Sequence, residues 1–288
     1  MTADVLPDPL STLLRAPAGA VNLAALDTRA TPGYPGEGKA DADAHREALA
    51  PQLADLQELL FADGRANPEG AKRVLMILQG MDTSGKGGIM RHAIGLVDPQ
   101  GVHIKAFKAP TAEERRHHYL WRIEKALPEP GMIGIFDRSQ YEDVLVVRVE
   151  SLVPKAEWEK RYDEINAFEL KLVEQGYTLI KCYLHMSKEE QAARLQARLD
   201  DPHKHWKFTP GDIDARAKWD AYMEAYTAVL ERTNTDYAPW YVLPADRKWY
   251  RNWAAAALLR EKLAGLNLTW PVADFDVDEQ KARLAAEG

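Results

Sequence analysis

The stretch from residue 73 to residue 91 restricts this chain more than any other. An apolar run, Val74 to Leu78, breaks into Gln79, Gly80, Met81, Asp82, Thr83, Ser84, Gly85, Lys86, Gly87 and Gly88. This reads as a strand, a glycine-rich turn and the start of a helix. Gly80, Gly85 and Lys86 have the spacing of a phosphate-binding loop, in which glycines let successive backbone N–H groups wrap an anion while the lysine ammonium reaches the outer phosphates. The helix starting near Lys86 points the positive end of its dipole into the same space. A plain strand-to-helix turn with a surface lysine is the alternative. Four glycines around one lysine weaken a chain unless a ligand needs them, which argues against it. The loop departs from the usual pattern at Gly87, which stands where a Ser or Thr hydroxyl would meet a magnesium ion, so another group must hold the metal.

With 288 residues, 46% hydrophobic and 28% charged, the composition is that of an ordinary globular protein. One domain is expected at 41–270, with an irregular N-terminal arm at 1–40 and a C-terminal tail at 271–288. No apolar run approaches the roughly 18 residues of a membrane span. Asp4 and Asp8 precede any basic residue and the single Cys182 has no internal partner, so a cytoplasmic location is expected. The formal net charge of -7 is a poor match to nonspecific nucleic-acid binding. A polyanion site must then be a local basic cluster. Two exist: Lys105, Lys108, Arg115, Arg116 and Arg122, and then Arg194, Arg198, Lys204 and Lys207. Solvated helix faces account for such runs equally well; what favours function is that both follow strand ends.

Along the chain, the arm is read as irregular rather than packed, with Thr31 to Gly36 closely punctuated by Pro and Gly. A helix is expected from Asp41 to Phe61, another from the loop to about Val97, and a strand from Val102 to Phe107. Thr111 and Glu114 form a capping box for a helix running through Trp121 and Arg122. Residues 131–136 read as a buried strand ending at Asp137 and Arg138. At that strand end Asp137 suits magnesium or its water shell; the lesser alternative, compatible with it, is the N-cap of a helix from Ser139. A helix over 154–174, a strand over 177–185 and a helix capped by Ser187 with Glu190 follow. Pro202 to Thr209 is polar, aromatic and basic, the composition of a mobile lid spanning about 198–215. A strand at 240–243 and a helix from about Asp246 complete the pattern. Strands alternating with helices imply a three-layer α/β/α arrangement on a mostly parallel sheet, with ligands outside the carboxyl ends of its strands.

Several separated motifs occur in order: LQGMDTSGKGGIMR (78–91), FKAPT (107–111), IGIFDRSQYEDVLVVR (133–148), HWKF (205–208) and WYVLPADRKWY (240–250). Together they closely resemble the polyphosphate kinase 2 family, over about residues 20–270, and most resemble its class III through Glu142 and the run Asp143 to Arg148. Gly87 and Gly88 replace the Lys-Asp-Gly order common in that class, and Asp137 with Gln140 stands where it often has Asn and His. The resemblance implies a phosphate-loop kinase fold related to thymidylate kinase. It implies phosphoryl transfer between inorganic polyphosphate and AMP or ADP, with magnesium, or manganese in its place. By position it makes Asp82 and Asp137 the metal-orienting acids, with Lys86 and Arg138 neutralising the transferring phosphoryl group. Gly80, Thr83, Ser84, Gly85, Gly87 and Gly88 form the phosphate cradle. Arg194, Arg198, Lys204 and Lys207 hold the polyphosphate, and Arg122 and Glu142 lie toward an adenine or guanine nucleotide. A homo-oligomer without nucleic-acid or membrane partners is expected. The rivals are an ATP-using P-loop kinase and a GTPase-like binding module; the latter lacks a Ser or Thr after Lys86 and an Asn-Lys-x-Asp signature.

Overall fold

Residues 8–287 are described by a computed structural model; Asp4 with the other residues of 1–7, and Gly288, lie outside the described residues. The chain opens with α1 (Leu10–Leu13), α2 (Ala42–Glu47) and α3 (Ala50–Ala66). It continues through β1 (Arg73–Gln79), α4 (Lys86–His92), β2 (Val102–Ala106), α5 (Trp121–Glu124) and β3 (Ile133–Asp137). Next come α6 (Val146–Val149), α7 (Lys155–Trp158), α8 (Arg161–Glu174), β4 (Tyr177–His185) and α9 (Lys188–Leu199). Then follow α10 (Pro210–Ala217), α11 (Trp219–Thr233), β5 (Trp240–Pro244), α12 (Lys248–Ala264) and α13 (Val277–Glu287).

The five strands form one sheet in the order β2-β3-β1-β4-β5, and every pairing is parallel. Continuous apolar runs such as Val74 to Leu78 fit only where helices cover both faces. Helices α3, α4 and α12 pack together, while α8 packs on β4 and on α11. The register sets Leu78 beside Asp137, so the loop after β1 and the end of β3 emerge side by side.

The arm is not unpacked. Leu10, Leu14, Val21 and Leu23 are buried, and an antiparallel bridge joins Arg15 to Tyr241. Ala16 N–H donates to the Trp240 carbonyl (2.8 Å) and Val242 N–H to the Leu14 carbonyl (2.7 Å). These bonds occupy the free edge of β5, whose backbone groups need partners. In the Thr31 to Gly36 turn, the Tyr34 ring meets Trp249 and Trp253 edge-on and its hydroxyl bonds Asp41.

Helix continuity differs from expectation in five places. The expected 41–61 helix divides before Pro51, which lacks an N–H and sits in the first turn of α3. It then runs past Gly64, whose missing side chain lets it lie against the Gly131 backbone. After the loop, α4 stops at His92 and tightens into a 3-10 turn at Ile94–Leu96, where Gly95 lowers helix propensity. The Thr111–Glu114 capping box forms (2.8 and 3.2 Å) but caps only a 3-10 turn, because the chain extends at His117, whose ring stacks on Trp121. The 154–174 segment is two helices, α7 and α8. Ser187 accepts from Glu190 N–H (3.1 Å), yet the Glu190 carboxylate turns to Arg194 (2.7 Å), so that box is half formed. The tail carries α13, with no buried residue.

Candidate active site

The loop backbone adopts conformations that favour glycine. Gly80 has φ 155° and Gly85 φ 112°, and Thr83 also lies at positive φ, 68°. A Cβ at Gly80 would come within 2.8 Å of Ser84 Oγ and 3.0 Å of Leu184. Lys86 opens α4 and is buried; its Nζ folds back to donate to the Gly80 carbonyl (2.8 Å), closing the loop on itself. Burial lowers the Lys86 pKa, the Arg138 guanidinium adds to that, and Asp137, Asp82 and Glu142 oppose it.

β3 delivers Asp137 and Arg138 beside the loop. Arg138 sits at φ 65°, with its N–H bonded to the Leu78 carbonyl (3.0 Å), and this unusual backbone turns its side chain toward the loop. Its Nη2 donates to Asp82 Oδ1 (2.9 Å), and Nη1 lies 4.0 Å from Glu142. Burial works against the Arg138 charge, but the Glu142 and Asp82 carboxylates outweigh it and raise the guanidinium pKa. Burial raises the Glu142 pKa, with Arg138 and Lys86 pulling the other way. With the Gln79 amide oriented to suit its neighbours, it donates to Glu142 Oε1 (3.0 Å). Asp137 is not the N-cap of the following turn: Ser139 takes that role through Tyr141 N–H, leaving Asp137 Oδ1 buried without a hydrogen-bond partner. A buried carboxylate oxygen with no donor fits an absent cation or its water. No cluster of three or more His, Cys, Asp or Glu suited to a metal exists among the described residues. Two acids plus waters and substrate phosphates is the pattern magnesium favours.

Two clefts meet here. One, about 760 Å³, is lined by the loop, Lys86, Arg91, His92, Lys108, Asp137, Arg138, Arg198 and Lys207. The other, about 350 Å³, is lined by Gly80, Asp82, Arg138, Glu142, Glu150, Lys218, Tyr222 and Tyr226, among others. Asp82 and Arg138 line both.

A sequence profile described as Polyphosphate kinase 2 (PPK2) matches residues 39–268. The chain belongs to the polyphosphate kinase 2 family. An AMP/ADP-polyphosphate phosphotransferase from Meiothermus ruber is 46% identical over 255 residues, covering 88% of this chain and 93% of that protein. An ADP-polyphosphate phosphotransferase from Rhodopseudomonas palustris is 40% identical, covering 76% of this chain and 78% of the relative. The crystal structure of polyphosphate kinase 2 from Arthrobacter aurescens TC1 superposes with a TM-score of 0.93 at 52% identity, covering all of both chains. The α/β/α architecture is thus the P-loop kinase fold of this family, and the protein is a phosphotransferase.

Against that family pattern, the structure gathers Asp82, Lys86, Asp137, Arg138 and Glu142 around one point, with Gly80, Thr83, Ser84, Gly85, Gly87 and Gly88 forming the loop. The lid is a 3-10 turn, Pro202–Lys207, leading into α10 through a complete Thr209–Asp212 capping box. Arg198 ties the two parts together, donating to the Lys207 carbonyl (2.9 Å) and to Asp212 (3.4 Å). Lys207 faces the larger cleft, whereas exposed Lys204 pairs with Asp201 (2.7 Å) and does not line it. Arg194 is placed behind the loop, donating to the Thr83 (2.9 Å) and Ser84 (3.2 Å) carbonyls, and does not face the cleft. Arg122 lies outside both clefts, buried under Phe107, donating to the Lys108 carbonyl (2.8 Å) and facing a separate 820 Å³ hollow with Asp143. Sequence reasoning passed over Arg91 and His92, which the Gly87–His92 helix turn brings into the cleft, and Arg251, which no motif marks.

Proposed function

We propose that this protein transfers phosphoryl groups between inorganic polyphosphate and AMP or ADP, using magnesium or manganese held by Asp82 and Asp137. The observation that carries the reading is the sharing of Asp82 and Arg138 by two clefts of different character. The larger is walled by cations, as a polymer with no base or sugar to read requires. The smaller offers Tyr222 and Tyr226 with Glu142 and Glu150, groups suited to a nucleoside rather than to a bare phosphate chain. Adenine is the expected base, with guanine the nearest variant. The names of the Meiothermus ruber and Rhodopseudomonas palustris relatives support the same substrates.

Phosphoryl transfer needs little covalent work from the protein, because its transition state is loose and its charge spreads over the equatorial oxygens. The accepting phosphate is already anionic near neutral pH, so no strong base is required. The loop N–H groups and Lys86 hold the phosphate chain, and Arg138 is placed to bridge donor and acceptor phosphates at the junction of the clefts. Asp82 fixes the Arg138 fork through their 2.9 Å bond. A bound divalent ion would offset the repulsion between two polyanions. The lid, with Arg198 and Lys207, would exclude water, which otherwise competes as acceptor. The acidic net charge suits a protein without nucleic-acid partners, and no helix is long and apolar enough to cross a membrane; we expect a homo-oligomer in the cytoplasm. The test is ATP and ADP formation by purified protein with magnesium, polyphosphate and AMP or ADP, beside ATP as alternative donor to AMP. No transfer from polyphosphate under any of these conditions, with transfer from ATP, would replace this reading by that of an ATP-dependent kinase.

A further inference from the structure

Behind the phosphate loop lies a second guanidinium that nothing in the mechanism above uses. Arg251, on α12, is 3% exposed. Its Nη1 donates to the Ser84 carbonyl (2.9 Å), the oxygen that Arg194 also approaches, and its Nη2 donates to the neutral Asn252 side chain (2.8 Å). Nε has no hydrogen-bond partner. Among the described residues no carboxylate pairs with it: Glu190, the acid that bears on it, is engaged by Arg194. The guanidinium lies flush against the loop backbone, so that a Cβ at Gly85 would fall 1.7 Å from Nη1 and one at Gly88 2.4 Å from Nη2. Two of the loop glycines are therefore there for Arg251 as well as for the anion.

A buried charge is costly unless something of opposite sign offsets it, and backbone carbonyls offset it only in part. Burial and the neighbouring Arg194 lower the Arg251 pKa, as that imbalance requires. On the other side of the loop, the 760 Å³ cleft is lined by Gly85, Gly87 and Gly88 themselves.

We propose that Arg251 is a positioning residue whose counter-ion is the bound polyphosphate: it holds the loop open at Ser84 and keeps a fixed positive charge one peptide layer beneath the phosphate chain. This rests on the polyphosphate reading of the cleft. In the free protein the charge is a liability; in the complex it becomes an attraction.

The experiment compares Arg251→Gln and Arg251→Lys with wild type. Gln is neutral but keeps a donor for Ser84, while Lys keeps the charge and gives up the fork. Thermal melting is measured with and without long-chain polyphosphate, and KM for polyphosphate and kcat are measured at several salt concentrations. For Arg251→Gln the expected result is a melting temperature without polyphosphate equal to or above wild type, a smaller shift on adding it, and a KM for polyphosphate raised about 10- to 100-fold, the scale of lost outer groups that orient a site. The salt dependence of KM should also become shallower. Arg251→Lys should recover most of the affinity. Equal KM and equal polyphosphate-induced shift in Arg251→Gln and wild type would overturn the proposal, as would a Lys variant impaired as much as the Gln variant, which would make the role one of bracing alone. Should wild type itself neither melt higher with polyphosphate nor use it, the functional reading has failed rather than the role of Arg251.

Discussion

Replacing Gly85 by alanine probes the contact between loop and guanidinium directly, and Gly87→Ala two residues away supplies the opposite expectation. At Gly85 the backbone has φ 112°, and the added methyl would meet Arg251 Nη1 at 1.7 Å. Left-handed backbone costs an alanine about 1–2 kcal/mol. The guanidinium must also move away, giving up its 2.9 Å bond to the Ser84 carbonyl; a hydrogen bond to a charged group contributes about 1.5–3 kcal/mol. Destabilisation of about 2.5–5 kcal/mol follows from the two together. Gly87 is in α4 with open space where its Cβ would go, so alanine there should be stabilising by about 0.5–1 kcal/mol through helix propensity. Urea unfolding of both variants against wild type, with equal m-values required, measures the difference. If both substitutions leave stability within about 0.5 kcal/mol of wild type, the loop and Arg251 adapt freely and their close packing does not constrain them.

Other outcomes follow from the same geometry. Asp137→Asn should fold with unchanged or higher stability, since Oδ1 makes no hydrogen bond, while kcat falls by about 100- to 1,000-fold as for other lost electrostatic groups; near-wild-type turnover removes Asp137 from the mechanism. Burial raises the Glu142 pKa above its ordinary 4.5, so the folded state holds that proton more tightly and stability is lost as pH rises through the folded pKa. The stability of Glu142→Gln relative to wild type should therefore grow as pH rises from about 4.5 and level off beyond the folded pKa, whereas a difference independent of pH contradicts the burial argument. Lys181 and Glu169 are both fully buried and pair at 2.7 Å, so Lys181→Met alone should cost about 3–5 kcal/mol in denaturation and the double variant Lys181→Met with Glu169→Leu should recover much of it.

Strands β1, β3 and β5 were legible because a buried parallel strand writes itself as an apolar run, whereas β2, exposed along most of its length, carries no such signal. Tyr177–His185 was bounded to the residue, and Asp137 was rightly set at the end of its strand. Helix length was less legible, because a capping box is a local device that starts a turn without deciding whether it continues. Thr111 and Glu114 make their bonds, and the chain still extends at His117. Gly80, Gly85 and Lys86 were legible from spacing, whereas Asp82 came only with the family resemblance. Arg194 was read as part of a polyphosphate track because a basic residue on an amphipathic helix looks solvent-facing; its 7% exposure comes from the crossing of α9 behind the loop. Arg251 and Lys181 illustrate the same limit from inside an apolar helix and an apolar strand. Their partners, Ser84 and Glu169, are 167 and 12 residues away in sequence, and only the packed sheet sets them together.

The division of cations between floor and lid has a physical reason. A lid cation can meet its own carboxylate, as Lys204 does with Asp201, and give it up at little cost, because both are solvated and the pair contributes at most about 1 kcal/mol. A floor cation cannot exchange partners that way, since it lies behind the backbone that touches the substrate. A carboxylate beside Arg251 would cancel the field the loop presents to the cleft, and the fixed charge would then attract nothing. Carbonyl oxygens are the compromise available: the Ser84 carbonyl holds Arg251 in place without neutralising it, while its neighbour Arg194, held by the Thr83, Ala245 and Asp246 carbonyls, takes the nearby Glu190 carboxylate for itself. Arg251 therefore keeps its positive charge uncompensated beneath the loop. In a reaction with no nucleophilic side chain, charge that is already in place and need not reorganise is the protein's main means of lowering the barrier.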